Sequence, residues 1–161
     1  MSTADAPLPA APNVEGAAPH LLLVRAPYYR DIIDGMSWGA TRILEQAYAT
    51  HDVLDIAGSF ELAQAIRLVL RGRVKFDGFV ALGCIVRGGT DHYDHICRET
   101  MAGLMAVALQ YGIALGSGVL TVHSIEQAAV RSGRDGFNKG AEAAVAALLQ
   151  INAARRFGAA P

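Results

Sequence analysis

FVALGCIVRGGTDHY, residues 79–93, is the stretch that decides how this chain folds. Val80, Ala81, Leu82, Ile85 and Val86 make a nearly unbroken apolar run, the pattern of a parallel strand covered on both faces. The run stops at Gly88 and Gly89, which carry no Cβ, so backbone N–H groups there can come close to a ligand. Thr90 adds a hydroxyl, and Asp91 is placed to cap a helix that begins at His92. Strand, glycine turn and helix start together form a corner suited to an anion, because the first N–H groups of a helix are unpaired and its dipole favours negative charge there. His92 beside that corner would put a proton-transfer group next to a phosphate. An ordinary βα connection whose glycines only turn the chain fits the same spacing equally well.

Working outward, the same alternation of strand and helix recurs. Residues 21–26 read as a first buried strand closed by Pro27, followed by a helix over residues 30–50. Residues 53–57 read as a short second strand, and Gly58-Ser59 turns the chain into a helix bearing Leu62, Ala65, Ile66, Val69 and Leu70. Residues 78–86 are the third strand. The helix after His92 carries Ile96, Thr100, Leu104, Val107 and Tyr111, and residues 113–122 contain a fourth strand. Ser124 and Gln127 have capping-box spacing for a short helix to Arg131, and residues 138–157 form the last helix. This order predicts an α/β fold, a flavodoxin-like three-layer α-β-α sandwich on a four-stranded parallel sheet. Residues 1–19, rich in Ala and Pro, read as a flexible arm or as an extra strand docked on a neighbour, and residues 20–158 as one domain.

Composition narrows the function. A chain of 161 residues suits one domain with a real core. Its net charge of −1 argues against a broad nucleic-acid face, so an anionic ligand must be held by local groups. No apolar run approaches the ~18–20 residues of a membrane span, and no secretory pattern opens the chain. Cys84 and Cys97 lack disulfide or CxxC spacing and read as buried thiols of a cytoplasmic protein. Hydrophobic residues make up 52%, an excess that fits apolar surface buried between subunits or simply an alanine-rich core.

Ligands of such sheets sit beyond the carboxyl ends of the strands, which groups the other candidates with His92. Gly58, Ser59, Phe60 and Glu61 open a helix, where they offer donors to a polar heterocycle or polyol; Ser59 as a plain cap is the alternative. Tyr28 is either a stacking surface for a planar ligand or a rim residue of the core. Arg131 and Lys139 flank the loop at 132–137, as phosphate ligands or as solvated charges. His92, Asp94 and His95 have no clear further ligand, so a metal site is the weaker reading.

With GSFE at residues 58–61, LGCIVRGGTDHYD at 82–94, IEQA at 125–128 and NKG at 138–140, the pattern resembles the lumazine synthase family from about His20 to Phe157. The resemblance implies condensation of 5-amino-6-(D-ribitylamino)uracil with 3,4-dihydroxy-2-butanone 4-phosphate to 6,7-dimethyl-8-ribityllumazine, releasing phosphate and water, with no metal or organic cofactor. By motif match His92 looks like the proton-transfer residue, Arg131 the main phosphate ligand and Lys139 a nearby basic residue. Gly89 and Thr90 match the phosphate turn, and Ser59, Phe60 and Glu61 the ribityl segment. Cys84, Ile85 and Val86 match the pyrimidine wall, and Tyr28 the stacking aromatic. Ser117 stands where many members carry Phe from the neighbouring subunit, Cys84 where Thr is usual, and Pro27-Tyr28 where others have Arg-Phe. The family also implies a pentamer or a 60-subunit shell of pentamers, with a functional association with riboflavin synthase. A flavin or lumazine storage protein on the same scaffold is the alternative from another class.

Overall fold

The computed structural model describes residues 9–134 and 136–159. Four strands, β1 (His20–Arg25), β2 (Thr50–Asp55), β3 (Gly78–Val86) and β4 (Ala114–Val122), form one all-parallel sheet in the order β2-β1-β3-β4. Val80 on β3 pairs with Leu23 of β1 on one side and Gly116 of β4 on the other. The helices are α1 (Arg30–Gln46), α2 (Leu62–Leu70), α3 (His92–Tyr111), α4 (Ile125–Val130) and α5 (Lys139–Arg156). Both faces of the central strands are covered, which is why β3 reads as continuous apolar sequence. Leu21, Leu23, Val80 and Leu82 pack under α1 and α5; Leu22, Val24, Phe79 and Ala81 pack under α2 and α3. The expected α/β sandwich is the fold.

Two packing details place the site. α1 and α5 approach at Gly39 and Gly140: a Cβ on Gly140 would stand 1.9 Å from the Met36 carbonyl oxygen. Asn138, fully buried, starts α5 by accepting from the Ala141 N–H (3.0 Å) and donates to the carbonyls of Gly35 and Gly133 (2.9 Å each). A single side chain thus ties α1, α5 and the loop before α5. At the other end of the sheet α3 stops at Gly112, whose left-handed φ of 61° favours glycine.

Several boundaries differ from the sequence reading. α1 ends at Gln46, not near residue 50, because the chain turns at Tyr48 (φ 56°) and the Thr50 N–H donates to the Pro19 carbonyl as β2 begins. β2 therefore starts three residues before Val53 and ends at Asp55. It is an edge strand with exposed side chains, so its polar residues hid it. A 3₁₀ turn, Ser59–Glu61, precedes α2. Asp91 adopts helical angles and makes no side-chain cap, contrary to expectation. Ser124 does cap α4, but Gln127 returns its bond to the N–H of His123 rather than to that of Ser124.

Of the N-terminal arm, residues 1–8 lie outside the described residues. The rest runs along α5 of its own chain: Asn152 exchanges hydrogen bonds with Glu15 and Asn13, and Arg155 donates to the carbonyl of Ala17. No helix among the described residues is long and apolar enough to cross a membrane.

Candidate active site

The C-terminal tips of β1 and β3 open into a cavity of about 310 Å³ between the start of α3 and the Gly58-Ser59 turn. Tyr28, Ser59, Cys84, Ile85, Val86, Thr90 and His92 line it, all anticipated from sequence. Register explains the wall: β3 is longer than β1, so Cys84, Ile85 and Val86 extend past the last β1 pairing at Leu82. The His92 imidazole is exposed at the rim, on the first residue of α3. Gly88 and Gly89 have no protein atom within 4 Å of where a Cβ would lie and do not have positive φ. Neither packing nor backbone strain calls for glycine there, which leaves open approach to the backbone as the physical reading.

The walls are chemically mild. Cys84 is buried, and that burial pushes its thiol up to about 11, so it is a neutral, weakly polar surface rather than a nucleophile. Tyr28 is 77% exposed, and its ring stands at 73° to that of Tyr29, 5.1 Å away, so much of its surface is open to a planar ligand. Burial, then Cys84 and Tyr28, raise the Tyr29 phenol. Ser59 is buried with its hydroxyl beside Gly83, where a Cβ would lie 2.6 Å from it. Phe60 is exposed and Glu61 half-buried; with Gly89 they adjoin the cavity without lining it.

Arg131, Lys139 and Ser117 are elsewhere. They line a second cavity of about 410 Å³ along β4, between Arg131, just past the end of α4, and the first turns of α5. Its geometry follows from how the loop at 132–137 closes. Ser132 and Asn138 form an antiparallel bridge, and the Lys139 N–H donates to the Arg131 carbonyl (2.9 Å), so the two cationic residues meet at its base. Arg131 is oriented by its own helix, Nη1 donating to the Gln127 carbonyl at 2.8 Å. Lys139 lies over the Phe137 ring and pairs with Glu142 at 2.6 Å.

The two cavities share no lining residue. Within one chain His92 and Arg131 line different cavities, although the rule of strand ends grouped them. Sequence reasoning also missed Tyr29, Tyr93 and Ile96 in the first cavity and Glu142 in the second. Ile96 and Glu142 were findable, at i+4 from His92 and i+3 from Lys139 on the same helical faces. Among the described residues no cluster of three or more His, Cys, Asp or Glu is arranged to hold a metal.

Comparison with known proteins matches this architecture. The family model described as 6,7-dimethyl-8-ribityllumazine synthase covers residues 18–155. The chain is 42% identical to 6,7-dimethyl-8-ribityllumazine synthase 1 of Rhizobium meliloti over 144 residues, 87% of this chain and 94% of that one. It is 41% identical to the 6,7-dimethyl-8-ribityllumazine synthase of Agrobacterium fabrum, covering 87% and 97%, and 39% identical to that of Bartonella tribocorum, covering 87% and 93%. With a family match spanning nearly the whole folded chain and relatives this similar over more than nine-tenths of their length, the chain belongs to the 6,7-dimethyl-8-ribityllumazine synthase family.

Proposed function

We propose that this chain is the enzyme that condenses 5-amino-6-(D-ribitylamino)uracil with 3,4-dihydroxy-2-butanone 4-phosphate, giving 6,7-dimethyl-8-ribityllumazine, phosphate and water in riboflavin biosynthesis. The observation that carries the reading is the pair of complementary half-sites on one chain. One offers an aromatic face and a histidine, the other two cations. Neither alone has both, so the working site forms where the His92 cavity of one copy meets the Arg131 cavity of the next. Such a head-to-tail contact closes into a ring, and a pentamer is the assembly we propose. Met101, Met105 and Leu109, exposed along α3, give that ring an apolar seam.

In this site Tyr28 stacks on the pyrimidine while Cys84, Ile85 and Val86 form its wall. Ser59, Phe60 and Glu61 hold the ribityl chain. Gly89 and Thr90 receive the phosphate with Arg131 from the neighbour, and Ser117 and Lys139 complete that side. The amine of the uracil attacks the ketone and water leaves to form an imine. Loss of phosphate follows as the carbon beside the imine gives up a proton; the enol so formed becomes a ketone, and the remaining amine closes the ring on it with loss of a second water. His92 moves protons between these steps, since an imidazole both accepts and donates near neutrality. Arg131 and the open N-terminus of α3 stabilise the departing dianion. Holding two substrates in register supplies much of the rest, up to ~7–11 kcal/mol in favourable cases. Both thiols are free, in keeping with a reducing cytoplasm.

The test is direct. Purified protein mixed with both substrates should form the lumazine chromophore and release inorganic phosphate in step. Tight binding of riboflavin with no condensation would instead favour storage.

A further inference from the structure

His92 stands on a helix end with little to fix it. The turn before it contains two unrestrained glycines, and the Asp91 side chain makes no cap. The Asp91 carbonyl, accepting from the N–H groups of Asp94 (3.1 Å) and His95 (3.3 Å), closes the first turn. The Arg87 side chain spans the gap, beside a Tyr93 phenol that is hydrogen-bonded to the Thr121 side chain of β4. Arg87 follows the last residue of β3, and its N–H is locked to the Val122 carbonyl of β4 at 2.9 Å. From that anchored base its guanidinium reaches forward over the glycines to the first turn of α3. There it pairs with the Asp94 carboxylate at 3.1 Å and lies 5.1 Å from the centre of the Tyr93 ring. Tyr93 is braced from the far side by His123, edge-on at 6.2 Å, where β4 leads into α4. Burial raises the Tyr93 phenol, and Cys97 adds to this, while Thr121 and the Arg87 charge pull the other way.

We propose that Arg87 is a positioning residue for His92: it straps the first turn of α3 to the end of the sheet, and so sets the imidazole over the cavity. Both ends of the strap are anchored, one by the backbone bond into β4 and the other by the paired grip on Asp94 and Tyr93. The residues it crosses include Gly88 and Gly89, where an added Cβ would meet nothing within 4 Å. A displacement of the imidazole by about 1 Å is enough to cost rate, because proton transfer needs hydrogen-bond reach. Arg87 does not line either cavity, so it acts through its neighbours. The role in turnover rests on the proposed condensation site; the strap itself does not.

Arg87→Gln and Asp94→Asn, both at exposed positions, test it alongside the double variant. Arg87→Gln is expected to lower kcat about three- to tenfold, the scale of one exposed ion pair plus one cation–π contact, and Asp94→Asn, which keeps the ring contact, by less. KM for the butanone phosphate and inhibition by inorganic phosphate should stay at wild-type values. The double variant should be no slower than the slower single one. Peptides spanning residues 88–96 should exchange amide hydrogens faster in every variant, a readout that needs no turnover. If the wild-type protein fails to condense the substrates, the reading of the site falls, and exchange alone decides the strap. Unchanged exchange would overturn the proposal. So would faster exchange with wild-type kcat, or weaker phosphate inhibition with exchange unaltered, which would make Arg87 a direct phosphate ligand.

Discussion

The ammonium of Lys139 stands 2.6 Å from the carboxylate of Glu142, one turn along α5, and both line the cavity that holds Arg131. Lys139 is therefore not a free cation awaiting phosphate. With Glu142 counted, the net positive charge of that cavity rests on Arg131, and the lysine neutralises a carboxylate that lines the same cavity.

Lys139→Ala should then harm phosphate binding more than loss of one ligand implies, because it leaves Glu142 unpaired in the cavity. KM for butanone phosphate is expected to rise about tenfold in Lys139→Ala. The double variant Lys139→Ala/Glu142→Gln should recover part of that loss. Steady-state kinetics of wild type and these two variants decides it; equal KM in the single and double variants would remove Glu142 from the account.

Asn138 offers a stability test. Its side chain satisfies the Ala141 N–H and two carbonyls at once, in a fully buried position. Asn138→Ala is expected to cost about 2–4 kcal/mol in denaturant unfolding. Asn138→Asp keeps the cap but turns an oxygen toward the Gly35 and Gly133 carbonyls, so it should also be destabilised. Wild-type stability in the Asp variant would contradict the assigned donor bonds. Either change should loosen the base of the loop that brings Arg131 beside Lys139.

Cys84 carries a pH signature. Its thiol is held at about 11, above the ordinary value of 9.0, by burial. The folded chain keeps the proton where the unfolded chain loses it, so stability is whole below about pH 9 and falls as pH rises toward about 11. The loss is on the order of 2 kcal/mol. Cys84→Ala should flatten that window relative to wild type in urea melts. In the native protein at pH 8, alkylation of Cys84 should be far slower than that of a free thiol. Rapid labelling there would mean the wall of the cavity opens.

Much of the fold was readable in advance, and the exceptions share a cause. β1 and β3 are buried on both faces, so composition alone marks them. β2 is an edge strand held by backbone pairing to β1, and Thr50, His51 and Asp52 say nothing of that. The first cavity was legible because a strand, a glycine turn and a helix start are adjacent in sequence. Tyr29 and Tyr93 escaped because their place depends on which way neighbouring elements lean. Hardest of all was the separation of His92 from Arg131. Both come after strand ends, yet β4 closes the sheet, and the cavity beside it opens on the flank toward α5.

That separation gives the sharpest prediction. If each working site joins the His92 cavity of one copy to the Arg131 cavity of another, two inactive variants can repair each other. His92→Ala is expected to lower kcat about 10²-fold, and Arg131→Ala to weaken phosphate binding severely. When the two are unfolded together, refolded and assembled at equal amounts, random mixing puts an intact histidine opposite an intact arginine at about one quarter of the interfaces. Turnover should return to roughly that fraction of wild type, whereas each variant refolded alone stays inactive. A mixture no better than the mean of its parts would mean that His92 and Arg131 serve the same site from within one chain, or do not share a substrate at all.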